Sequence, residues 1–108
     1  MDTEIKRLLL AFEQQMRRIN RDKLNPLVKE LSLNDLESMQ RMVADARGKY
    51  LEAFLGIAEE SSGELPDDNK IKLLHQHRLR YEELLEGARA LEIALQRGYL
   101  DIEIGPGS

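Results

Sequence analysis

SLNDLESMQRMVADARGKYLEAFLGIAEE, residues Ser32 to Glu60, is the stretch whose spacing decides the fold. Within it Leu36, Met39, Val43, Ala46, Tyr50, Ala53 and Ile57 recur at alternating steps of three and four. That period keeps one side chain per turn on a single helix face and is the seam of a coiled coil. The start is marked too. Ser32 stands three residues before Asp35 in the relation of a capping box, and Leu31 and Leu36 are placed to clasp across the first turn as a hydrophobic staple. No proline interrupts residues 33–60, so the spacing predicts one helix of about 28 residues, roughly 42 Å long. Gly48 and Gly56 each weaken it by about 1 kcal/mol relative to alanine. Met42, Leu51, Phe54, Leu55 and Ala58 lie outside the seam. They are too many for a solvated face, so this helix is expected to touch more than one neighbour, in the first place the N-terminal helix and the chain's own core.

Downstream, residues 61–68 concentrate Ser, Gly, Pro and Asp, the residues of turns and caps, and form the main loop. Asp67 or Asp68 then caps a second long helix running to about Arg97. Gly98 is placed just past its end, with Arg97 near the negative pole of the dipole. Its apolar positions are Ile71, Leu74, Tyr81, Leu84, Leu85, Ala88, Leu91, Ile93, Ala94 and Leu95. Arg78 falls at a seam position, where a polar residue can set register or oligomer state at a cost in stability. Two helices of matched length joined by a short polar loop fold back most simply as an antiparallel hairpin.

Upstream, Ile5, Leu8, Leu9, Phe12, Met16 and Ile19 line one face of a helix from Asp2 to about Asn20. After a turn, Asn25 as cap and Pro26 at the first helical position predict a short further helix carrying Leu27, Val28 and Leu31. Beyond Gly98 the period changes to two: Leu100, Ile102 and Ile104 alternate with Asp101 and Glu103. This extended tail is expected to lie on the helices, to form a ribbon with a second copy, or to offer an edge to a partner. The fold class is all-α: an antiparallel hairpin of two long helices with an additional N-terminal helix, a three-helix, coiled-coil-like bundle with a short extended tail. Residues 1–104 are read as one domain, and Gly105, Pro106, Gly107 and Ser108 as a cloning remnant.

Composition agrees. Of 108 residues 33% are charged and 5% aromatic, with no Trp, a balance of long polar-faced helices rather than sheets. Twenty acids against sixteen Lys and Arg give a net charge of −4, spread along the chain, which favours solubility and provides no general attraction for nucleic acid. Zero Cys excludes disulfides, thiolate metal sites and a Cys nucleophile, which suits a reducing compartment; cytoplasm is the expected location. The apolar runs Leu8 to Phe12 and Ala53 to Leu55 are too short to span a membrane, and Asp2 and Glu4 do not suit a secretory leader.

Candidate chemistry is sparse. His75 and His77 diverge by about 200° on a regular helix and do not share a metal ion. The acids Glu59, Glu60, Glu64, Asp67 and Asp68 border a loop and a helix start, where capping and the dipole favour them. The seven glycines form no phosphate cradle. No enzyme activity and no cofactor are therefore expected. One basic concentration remains: Arg17, Arg18, Arg21 and Lys23, four positive residues within seven, without an aromatic interleaved for base stacking.

The leading expectation is a non-enzymatic protein–protein interaction module, a small adaptor or assembly factor acting as a homo-oligomer, most simply a dimer. Its candidate interface comprises Met42, Leu51, Leu55, Arg78, Leu100, Ile102 and Ile104. Two alternatives are a nucleic-acid-associated regulator using Arg17, Arg18, Arg21 and Lys23, and a chaperone-like holder of a partner helix.

Overall fold

The computed structural model describes residues 2–28 and 30–103. Along them run α1 (Asp2–Leu24), β1 (Leu31–Ser32), α2 (Leu33–Glu60), α3 (Asp68–Gln96) and β2 (Ile102–Glu103). The protein is all-α, with a hairpin of two long helices preceded by a third. It divides into two compact units: residues up to Asp35 together with those from Leu91 onward, and residues 36–90.

In the second unit the seam of α2 turns inward. Leu36, Met39, Val43, Ala46, Tyr50, Ala53 and Ile57 are all half-buried or buried, and Gly56 alone joins them among the described residues of α2. The period of three and four therefore reads the buried face residue by residue. Opposite it on α3, Tyr81 stacks on Tyr50 at 6.1 Å between ring centroids, and its hydroxyl accepts a hydrogen bond from Arg47 Nε at 3.0 Å. The same guanidinium lies 5.3 Å from the Tyr81 ring centroid, within range of a cation–π contact. Near the loop, Lys70 Nζ reaches Glu60 at 3.2 Å.

The seam of α3 corrects the expected phase. Lys70, Leu74, His77, Tyr81, Leu84, Ala88, Leu91 and Leu95 are turned inward, with Leu85 and Ala94 beside them as expected, whereas Arg78 is exposed and Ile71 is 48% exposed. Both phases share Leu74, Tyr81, Ala88 and Leu95 and differ in taking His77 or Arg78 between them. An imidazole costs less to bury than a guanidinium, and Arg78 instead sits on the surface beside Glu82 at 3.7 Å and His75 Nδ1 at 3.3 Å.

Helix ends follow local chemistry closely. Ser32 N–H donates to Asp35 Oδ2 at 2.9 Å while Asp35 N–H donates to Ser32 Oγ at 3.2 Å, so the capping box is reciprocal even with Asp in place of Glu. Asp67 Oδ1 accepts from Lys70 N–H at 2.9 Å and caps α3. Two helices end in Schellman motifs. At α3, Tyr99 N–H bonds the Ala94 carbonyl at 2.8 Å and Gly98 N–H that of Leu95 at 3.2 Å, with Gly98 at φ +75°. At α2, Gly63 N–H bonds Ala58 and Ser62 N–H bonds Glu59, at 3.3 and 3.2 Å. There the left-handed residue is Ser62, at φ 51°. Glycine tolerates that conformation without the Cβ penalty, so Ser62→Gly is expected to stabilise the protein by about 0.5 kcal/mol. A urea midpoint that falls on this substitution would contradict the motif.

The first unit departs from expectation at two places. Among the described residues, 26–28, 30 and 31 are not helical. Instead α1 runs on to Leu24 and closes in a turn, with Asn25 N–H on Arg21 O at 3.0 Å and Val28 N–H on Leu24 O at 2.8 Å. Pro26 cannot continue a helix, five further residues are too few to repay nucleation, and Leu31 is taken by a strand. The tail, for its part, finds a partner inside its own chain. β2 pairs in parallel with β1, Leu31 opposite Ile102 and Ser32 opposite Glu103, and delivers Leu100 to the interior at 7% exposure.

Candidate functional site

Two features gather the residues singled out by sequence: a basic cluster and a set of uncovered apolar faces. The cluster is built by α1 in the first unit, where Arg17 and Arg21 share one side of the helix one turn apart. Arg17 Nε donates to the Arg97 carbonyl at 3.2 Å and Arg21 Nη1 to the Gly98 carbonyl at 2.8 Å. These carbonyls follow the end of α3, where the dipole is negative and the main-chain oxygens lack helical partners. Arg21 also grips Asp101 with both Nη atoms, at 3.1 and 2.7 Å.

That fork is the bidentate geometry that suits guanidinium to carboxylate. The hydrogen bond first, and the Coulomb attraction of Arg21 second, hold the Asp101 carboxyl below its ordinary range. The same two causes raise Arg21 in return. Asp101 had no motif to mark it. It joins the cluster only because the chain returns to α1 80 positions further on.

So the basic concentration splits. Arg17 and Arg21 bond their own chain, whereas Arg18 and Lys23 are exposed on other sides of the helix. Two residues of the four remain to meet phosphates, few for an electrostatic footprint.

The apolar residues distribute in the opposite sense. No residue of α1 is buried. Along it Ile5, Leu8, Leu9, Phe12 and Ile19 are 48–71% exposed, because the helix turns Met16, Asn20, Arg21 and Leu24, half-buried, toward its own unit and leaves the neighbouring apolar arc open. A groove beside this arc is lined by Leu9, Phe12, Met16, Arg17, Arg97 and Tyr99. On α2 the surplus residues Met42, Leu51, Phe54 and Leu55 are exposed as well, contrary to the expectation that the chain would cover them. Leu51, Phe54, Leu55 and Ala58 repeat at helical spacing and make a second stripe beside the seam.

Of the candidate interface, then, Met42, Leu51, Leu55 and Arg78 are on the surface. Leu100 is withdrawn into the first unit, Ile102 is half-buried in the strand pair, and Ile104 lies outside the described residues. Sequence reading missed the exposed stripe of α1, whose composition looks like that of any helix packed on a core.

Among the described residues no three His, Asp or Glu side chains are placed to hold a metal ion, and His75 is exposed while His77 is turned into the seam. No described helix is long and apolar enough to cross a membrane. Comparison with family models, curated proteins and solved structures finds no match to the chain.

Proposed function

We propose that the protein is a non-enzymatic interaction module, a small adaptor or assembly factor of the cytoplasm that acts as a homo-oligomer, most simply a dimer. The observation that carries this reading is the exposed apolar face of α1, continued in kind by the second stripe of α2. Contiguous apolar surface on helices is costly in water and marks sites where another molecule belongs. A helix with no buried residue also lacks the tertiary packing from which most helical stability comes.

The test is mass in solution by light scattering, followed through dilution from about 50 µM to the submicromolar range in which a stable dimer begins to part. The expected result is twice 12.4 kDa at the upper end, falling on dilution. A mass of 12.4 kDa throughout would remove the reading. The nucleic-acid alternative loses support from the intramolecular use of Arg17 and Arg21. Among the described residues, no surface feature favours a dedicated client helix over a second copy.

A further inference from the structure

We infer that the apolar stripe of α1 is the self-association surface and that it pairs with α1 of a second copy in antiparallel orientation. This rests on the homo-oligomer reading above and adds to it the element, the direction and the register. Ile5, Leu9, Phe12, Met16 and Ile19 advance by four, three, four and three, a heptad seam along α1. With the partner helix reversed, four of these five residues match one another when residue numbers across the interface sum to 21, and Ile19 alone falls beside Asp2 at the helix end. Leu9 then meets Phe12 of the second copy on both sides of the two-fold axis, and Ile5 meets Met16 in the outer layers. The groove lined by Leu9, Phe12, Glu13, Met16 and Tyr99 borders this seam on the first unit.

Charge selects this arrangement. The flanks of the seam that face each other in an antiparallel pair carry Lys6 and Glu13 on one side and Leu8 and Gln15 on the other. Lys6 of each copy therefore lies against Glu13 of the other, twice per dimer. Neither residue has an ion-pair or hydrogen-bond partner among the described residues, and seven positions apart they cannot reach each other along one helix. Reversal also brings the acidic end of α1, with Asp2 and Glu4, beside the Arg17 and Arg18 end of its mate. A parallel pair would stack the basic ends on one another and leave Lys6 opposite no acid. Helix dipoles favour the reversed pair as well.

A charge-swap cycle with dimer dissociation measured by sedimentation tests the assignment. Lys6→Glu and Glu13→Lys are each expected to weaken the dimer roughly ten-fold, since each replaces two attractions by two repulsions. The double variant Lys6→Glu/Glu13→Lys is expected to return to the wild-type constant, and salt to shrink the single-variant effects. Phe12→Glu, at the central layer, is expected to weaken association at least a hundred-fold. All sites are exposed, and unchanged far-ultraviolet circular dichroism at high concentration checks that α1 persists. A wild-type dimer indifferent to Phe12→Glu would overturn this assignment while leaving the homo-oligomer reading standing on another face. Loss with Phe12→Glu but no rescue in the double variant would overturn the antiparallel register. A wild-type monomer would overturn both.

Discussion

Leu100→Ala is expected to lower the unfolding free energy by about 2–3 kcal/mol, the lower part of the range for buried leucine because a little of the site stays open to water. Leu100 is 7% exposed, and among the described residues only Val43, Ile57 and Ala94 are comparably enclosed apolar side chains. With so few fully covered residues, one cavity removes a large share of a total of roughly 5–15 kcal/mol for a chain of this length. The position carries more than its own packing. Leu100 lies between the Schellman turn at Gly98 and the strand pair at Ile102, beside Asp101 in the grip of Arg21. Slackening it loosens three sets of hydrogen bonds. Urea unfolding at fixed protein concentration measures the loss, and hydrogen exchange should locate it in the amides of residues 97–103 and 31–32. A shift under about 0.5 kcal/mol, typical of exposed positions, would mean that Leu100 is not buried in its own chain.

Ile57→Ala is expected to cost a similar 2–3 kcal/mol, equivalent to a melting temperature lower by about 10 °C. Ile57 is the last residue of the α2 seam, 9% exposed, one turn before the helix closes through the bond from Ser61 N–H to its carbonyl. The substitution deletes apolar contact without removing a polar group, so cavity formation is the whole effect. Leu65→Ala supplies the control, since Leu65 is 96% exposed in the loop and should change little. Equal melting temperatures for the Ile57 and Leu65 variants would show that the heptad seam of α2 is not the packed face.

What was legible in the sequence was what neighbours a few residues apart determine. The Ser32 and Asp35 box, the loop at 61–67, the glycine after α3 and the inward face of α2 all rest on interactions within one or two turns. What was not legible depends on distant partners. β1 and β2 are two residues each, too short for a periodic signal, and Leu31 reads as helix until Ile102 is brought beside it. Arg17 and Arg21 read as a free basic patch because the carbonyls they meet come from residues 97 and 98. The phase of α3 was ambiguous for another reason. Four of its apolar positions fit two seams equally, and only the partner helix chooses between His77 and Arg78. The open face of α1 was hidden by the assumption that an amphipathic helix covers its greasy side within its own monomer.

The joining of residues up to Asp35 with those beyond Leu91 bears on how the molecule is made. A ribosome delivers the early segment first and must polymerise the intervening hairpin before the later one emerges, a delay of roughly 3–10 s at ordinary elongation rates. For that interval the nascent α1 has neither the carbonyls for its arginines nor the strand for Leu31. Its leucines and Phe12 face water while the polypeptide is still tethered, so the first unit closes only once residues from both ends of the chain have been made.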